Sequence, residues 1–385
     1  MNRRKFLKLT GSTGVILAAT GVGIGGFIST RTPRIALLPW EQAGSQYSDP
    51  MRKALSYAIL APNPHNRQPW VVDLISSTEA VLSCDLQRLL PDTDPFSRQI
   101  IIGLGCFLEL FAQAASHDGY RAQITLFPEG ESGGQLDSKP VARLTLQEDS
   151  RIVPDPLFVQ ALKRRTNRNR YDLERSVSQD DLAEIIAVAG PGVSAGAVAQ
   201  GVQLQDLRAL TRNALRDEIL HPRAFQESVD LMRIGRAEID ANPDGISLGG
   251  AFLETLSLVG VLSRKQLADP ESSAFQVGLD MADDQASTSM GFVWVSTRRN
   301  GRREQIAAGR NYLRIALRVT GLGLSMQPMS QALQEYPAMQ PYYDEVHSML
   351  TDGSGKRVQM LARLGYAAKI APSPRWALTT RIRKS

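Results

Sequence analysis

Two short stretches of this 385-residue chain carry side chains whose types and spacing suit chemistry. The first is Ala61-Pro62-Asn63-Pro64-His65-Asn66-Arg67-Gln68-Pro69-Trp70. Its three prolines fix φ and remove backbone donors, so no helix runs through it. Amide and imidazole groups are thereby mounted on a stiff loop, the kind of place where binding groups commonly sit. The second stretch is Lys163-Arg164-Arg165-Thr166-Asn167-Arg168-Asn169-Arg170-Tyr171. A phosphate needs fixed donors, and guanidinium forks supply planar, paired ones, with the Thr166 hydroxyl adding a short neutral donor. Two plainer readings stand beside these. A proline-rich connector has the same composition as the first stretch, and cations at a helix C-terminus answer the dipole in the second.

The elements that must position these groups follow from periodicity. Residues 31–50 read as a polar, proline-containing linker. A helical pattern covers Met51 to Leu60, and strand-like runs cover Trp70 to Ile75 and Ala80 to Asp85. Ile100 to His117 reads as a largely buried helix. Strands are expected at Ala122 to Phe127 and Val141 to Leu146, around a glycine-rich turn. Helical patterns follow at Asp155 to Arg165, Asp180 to Val188, Leu207 to Leu220 and Ala224 to Ile239. The Asn242-Pro243-Asp244-Gly245 turn precedes an apolar helix, Gly250 to Leu262. Thr288 to Thr297 is the clearest late strand, then a helix over Arg302 to Gly321 and a short strand over Leu324 to Met329. The mixed order predicts an α+β fold. Residues 103–126 and 307–329 share a helix-then-strand outline, which reads as a diverged tandem duplication with halves at 36–150 and 151–385.

The formal charge of +5 owes four units to Arg3, Arg4, Lys5 and Lys8, so no basic face argues for nucleic acid. Twin arginines ahead of Phe6-Leu7-Lys8, then an uncharged run from Leu9 to Ser29, resemble a twin-arginine export signal within residues 1–35. The run's many glycines suit a signal better than a permanent span. No Ala-x-Ala site follows, so an uncleaved N-terminal membrane anchor stays open. The expected partner is the export machinery, and the expected location periplasmic or otherwise extracytoplasmic. Cys84 and Cys106 lie in apolar patterns and read as buried free thiols, and no metal-ligand spacing occurs.

The loop pattern Ala-Pro-x-x-His-Asn-x-Gln-Pro-Trp resembles the flavin-contacting loop of the nitroreductase family, whose members bind FMN. The resemblance spans most of residues 50–380 and is nearest the duplicated, Acg-type branch. It implies that Pro62, Asn63, His65 and Asn66 lie against the isoalloxazine ring, with the Asn66 amide at the ring edge. Gln68 joins that set, and with Trp70 holds the loop in shape. Arg164, Arg165, Thr166 and Arg168 match the family's element at FMN phosphate and ribityl. Ser373-Pro374-Arg375 resembles its final segment, which gives Arg375 a phosphate contact. The run Gly321 to Ser330 resembles the strand and turn beside the central ring. Backbone N–H groups there address N5 in the family, and Pro328, Met329, Ser330 and Gln331 occupy those positions, although Ser330-Gln331 departs from the family's acidic residue or glycine. In the family FMN lies between two subunits, so the resemblance implies a monomer that mimics a dimer and holds one FMN. It further implies an oxidoreductase acting on a small-molecule electron acceptor of nitro or quinone type. The alternative is a non-catalytic FMN-holding protein, its flavin covered by a lid at 241–276.

Overall fold

The computed structural model describes residues 31–351 and 353–383. The twin-arginine stretch and the uncharged run behind it lie outside the described residues. Two antiparallel four-stranded sheets organise the α+β chain. The first holds β1 (Trp70–Leu74), β2 (Glu79–Cys84), β3 (Tyr120–Leu126) and β4 (Ala142–Glu148), in the order β1-β2-β4-β3. Helices α1 (Arg34–Gln42) and α2 (Pro50–Ala58) precede it, and α3 (Arg98–His117) connects β2 to β3. Alternation decides the sheet's inner face: Ala142, Leu144 and Leu146 of β4 are buried between exposed neighbours. Helix α3 is apolar on nearly all sides and is correspondingly buried along its length, as a core helix must be.

The second sheet takes β5 (Ser194–Val198), β8 (Gly291–Thr297), β9 (Ser325–Pro328) and β10 (Arg357–Gly365) in the order β5-β8-β10-β9. That is the same strand permutation as in the first sheet. Between β5 and β8 lie α5 (Gly201–Leu220), α6 (Pro222–Asp230), α7 (Gly235–Ala241), α8 (Ala251–Leu258), α9 (Arg264–Ala268) and α10 (Ser273–Ser287), with α4 (Gln179–Ala187) ahead of β5. A small parallel pair, β6 (Met232–Ile234) with β7 (Ile246–Leu248), sits in this region. Helix α11 (Arg302–Gly321) joins β8 to β9, and α12 (Gln340–Leu350) precedes β10.

Helices α3 and α11 cross at the centre of one hydrophobic core shared by both sheets. Their bounds are offset by the same 204 residues at each end, 98 to 302 and 117 to 321. The first arginine of each reaches into the opposite half. Arg98 donates to the carbonyls of Leu333 and Gln359 and pairs with Glu335, while Arg302 donates to the carbonyls of Phe96, Gly133 and Gly134. The C-terminal tail also crosses over. Val72 N–H donates to Arg381 O and Arg383 N–H to Val72 O, adding a parallel bridge at β1.

Several expectations need correction. Residues 34–42 are not linker but a helix, with Ala36, Pro39 and Trp40 buried. The pattern at Asp155 to Arg165 yields only a 3₁₀ turn, Pro156–Gln160, capped by the Asp155 carboxylate. The pattern at Ala224 to Ile239 is interrupted by β6 and restarts at Gly235, whose φ of 79° suits glycine. Cys84 and Cys106 are buried free thiols, pushed up to about 12 by burial and thus unreactive.

Candidate functional site

The loop from Ala61 to Trp70 lies on the N-terminal part of α3, where a Cβ on Gly103 would stand 3.0 Å from the Asn63 Cβ. His65, Asn66 and Gln68 all adopt left-handed backbone, with φ of 45°, 52° and 51°. Such conformations cost on the order of 1 kcal/mol or more each in non-glycine residues, so surrounding bonds must hold them. Gln68 N–H donates to Asn63 Oδ1 at 2.7 Å, and the Asn63 amide donates to Ala61 O. Gln68 Nε2 donates to Pro243 O at 2.7 Å while its Oε1 accepts from Trp376 N–H. Asn66 Nδ2 donates to Pro374 O, and its Oδ1 accepts from Arg375 at 2.7 Å.

The second half brings its guanidiniums to the same loop. Arg375 is 2% exposed and donates to the carbonyls of Ile59, Leu60 and Ala61. Arg164, 4% exposed, reaches Leu60 O at 3.5 Å. Arg165 donates to the carbonyls of Leu162 and Arg164, leaving its buried Nε without a partner. Burial depresses all three, and repulsion from neighbouring guanidiniums adds to it at Arg164 and Arg375: Arg164 falls to about 10, and Arg375 falls well below its usual range. Among the described residues no carboxylate forms an ion pair with Arg164, Arg165 or Arg375. Trp40 of α1 covers this cluster, its ring 4.9 Å from the Arg165 guanidinium and 5.4 Å from that of Arg375.

A polar wall continues from the cluster. Burial lowers the His65 pKa to about 4, with the charges of Arg168 and Arg67 adding to the effect, so the imidazole is neutral at pH 7. Its Nδ1 is buried with no partner. Arg168 keeps accessible surface, yet the surrounding protein desolvates it enough to lower its pKa, against the opposing pull of Glu218. Glu218 is 5% exposed, and burial raises its pKa although Gln334 donates to it at 2.9 Å and Gln331 also bonds it. The Oε1 atoms of Gln331 and Gln334 and the Tyr336 hydroxyl are likewise buried without partners.

Several polar groups expected at the flavin are bonded within the protein. The Asn66 amide oxygen accepts from Arg375, and its Nδ2 donates to Pro374 O. Asn63 and Gln68 are likewise engaged inside the loop and hold its shape. All donor nitrogens of Arg375 meet protein acceptors, so it contributes charge and loop position rather than a free fork. Met329 N–H donates to Leu361 O and its side chain packs in the second apolar cluster, which removes that amide from the turn's offering. Pro62, Thr166, Pro328, Ser330 and Gln331 are half-buried.

Sequence reading missed Trp40, Glu218 and Asp244. Glu218 had a legible signal: Leu204, Leu207, Thr211, Ala214 and Glu218 follow the spacing of one buried helix face. Asp244 accepts from Arg88 at 2.6 Å and from Arg233 at 2.9 Å, and Arg67 lies at 3.7 Å. It fixes the Asn-Pro-Asp-Gly turn against the loop, where Gly245 N–H also donates to Asn66 O.

The fold and site together define a protein with two sheets of like strand order and a cationic cluster bonded to the loop at 61–70. No family model matches the chain. It is 26% identical over 350 residues to a Mycobacterium tuberculosis H37Rv protein named as an NAD(P)H nitroreductase, covering 86% of this chain and 90% of the relative. A second protein of that organism, also named as an NAD(P)H nitroreductase (acg), is 32% identical over 124 residues, 31% of this chain and 35% of its own length. An FMN-dependent nitroreductase of Mycobacterium smegmatis, solved in complex with NADPH, aligns at 17% identity and a TM-score of 0.36, over 58% of this chain and 95% of its own. Over most of its length, then, the chain is similar to proteins named as nitroreductases.

Proposed function

We propose that this chain is an FMN-dependent oxidoreductase of nitroreductase type, formed by tandem duplication, with one flavin held between its halves. The observation that carries the reading is the gathering of Arg164, Arg165 and Arg375 without an ion-paired carboxylate. Buried like charges are costly unless compensated, so this cluster favours an anion such as a phosphomonoester. The donor set fits FMN. Arg164, Arg165 and Thr166 would hold the phosphate, with Arg375 adding charge from behind the loop. The 62–66 loop, His65, Arg168 and the turn at 328–331 would flank the ring, where the unpartnered His65 Nδ1 and Gln331 Oε1 lie.

When bound, the flavin supplies hydride transfer to an electron-poor acceptor, of which nitroaromatics and quinones are the class. The chain's own part is positional. The loop is over-determined by bonds from both halves, and His65 is kept neutral beside Arg168. The duplication is supported by the identical strand permutation and the matching register of α3 and α11. The Acg-type branch is supported by the likeness to acg. Export by the twin-arginine route, with an extracytoplasmic location, stays part of the proposal on the residues of the N-terminus alone.

The decisive experiment is the absorbance spectrum of protein purified from cytoplasm, before and after reductant. A bleachable flavin at one per chain is expected. Colourless protein that takes up no added FMN would defeat the proposal, and two flavins per chain would defeat the single-site form. A second reading, a flavin-holding protein without turnover, is favoured by the bonds that seat Pro243 and Gly245 of the insertion on the loop. Anaerobic mixing with NADPH separates the two, since rapid bleaching rejects a sealed site.

A further inference from the structure

Helix α1 carries a feature that the flavin reading does not require. Its Trp40 is 6% exposed and lies over two guanidiniums of the cluster at once, Arg165 and Arg375. The indole N–H donates to Ser373 O at 2.8 Å, which fixes the ring's orientation. Two further bonds hold the helix: Arg375 N–H donates to Ala36 O at 2.8 Å, and Ala36 N–H donates to Asp240 Oδ1 at 3.0 Å. These partners are Arg375 of the cluster, Ser373 of the C-terminal segment and Asp240 of α7, so α1 is docked in part by the site itself. An aromatic face over a guanidinium gains most where water is excluded, and it holds the cation's plane without using an N–H group, which at Arg165 leaves the buried Nε unpartnered.

We propose that Trp40 is a positioning residue for the phosphate end of the site, and that α1 acts as a clasp that retains a phosphate-bearing ligand. This rests on the reading of Arg164, Arg165 and Arg375 as the phosphate site. The ring aligns the Arg165 and Arg375 guanidiniums and closes them from solvent on one side. Ligands that share the flavin ring but lack the phosphate gain nothing from it.

The test compares FMN with riboflavin on the wild-type chain, Trp40→Ala and Trp40→Phe, reading affinity and release rate by flavin fluorescence. Trp40→Ala is expected to lower the preference for FMN over riboflavin about tenfold, the order of one desolvated cation–aromatic contact. Trp40→Phe, which keeps a ring face and loses the indole N–H, restores most of that preference. Equal weakening of both ligands, or no change in either, overturns the proposal. A second arm does not depend on flavin: inorganic phosphate should protect residues 43–49, the turn behind α1, from limited proteolysis in the wild-type chain and not in Trp40→Ala. If the wild-type chain binds neither flavin, the flavin reading fails and this arm alone decides the clasp. Absence of protection by phosphate then overturns it.

Discussion

Gly105 and Gly309 meet backbone to backbone where α3 and α11 cross. A Cβ on Gly105 would stand 2.4 Å from Ile306 O, and one on Gly309 would stand 2.0 Å from Ile102 O; each would lie 3.0 Å from the other glycine's Cα. The contact is reciprocal, since 105 and 309, like 102 and 306, differ by the offset that relates the two helices. Gly105→Ala or Gly309→Ala must push the helices apart through the shared core. Each is expected to cost roughly 3 kcal/mol, the upper range of overpacking. Chemical denaturation would measure it, and an unchanged midpoint would show that the crossing yields freely.

Arg164 and Arg168 bracket the segment proposed to hold the phosphate, and among the described residues neither forms an ion pair that would be broken by its loss. The double change Arg164→Ala with Arg168→Ala should remove charge-assisted bonds of roughly 1.5–3 kcal/mol each to a bound flavin. Flavin content after gel filtration is the readout. Full retention by the double variant would contradict the placement of the phosphate and ring edge.

Asp244 joins the turn at 242–245 to the loop at 61–70. It is 6% exposed, and although burial raises its pKa, Arg233 and Arg88 together outweigh that and hold it below the usual carboxylate range. Asp244→Asn removes the carboxylate that faces Arg67 and Arg233 and one of the two that pair with Arg88, which keeps Asp85 at 3.1 Å, at a cost of about 3 kcal/mol. For a carboxylate with a depressed pKa, the stabilisation is present above the ordinary value of 3.8 and is lost as pH falls below it. Hydrogen exchange at Gly245 N–H, which bonds Asn66 O, should accelerate in the variant at neutral pH.

His65 acts in a separate pH window. Its folded pKa of about 4 lies below the ordinary 6.5, so between those values the unfolded chain takes up a proton that the folded chain refuses. Stability should therefore fall as pH drops from 6.5 towards 4, before Asp244 contributes. His65→Gln removes the titration, and its stability should be flatter over that window in a urea series. An identical slope would place the imidazole in ordinary solvent.

Much of this was readable from single segments. The apolar helix at 98–117, the stiff loop and the inert cysteines follow from local composition. Contacts between distant segments were not. Asn66 reads as a free amide until Pro374 and Arg375 arrive, more than 300 residues later. Trp40 sits in a short apolar run whose purpose depends on Ser373, 333 residues away. Strand β10 is buried on both faces, and its core position includes the polar Gln359 and Arg363, both 0% exposed, which hides the alternation a strand normally shows. Strand β5 is Ser-Ala-Gly-Ala-Val, a poor strand former. It pairs with β8, and Gly196 leaves room for the Trp294 ring, where a Cβ would come within 2.3 Å.

The bridge between Val72 and Ile382 sets a timetable for the growing polypeptide. An edge of the earliest sheet stays uncovered until some 310 further residues have left the ribosome. The amino-terminal half cannot complete that edge before Ile382 has been made, and until then an open border is available for pairing with neighbours.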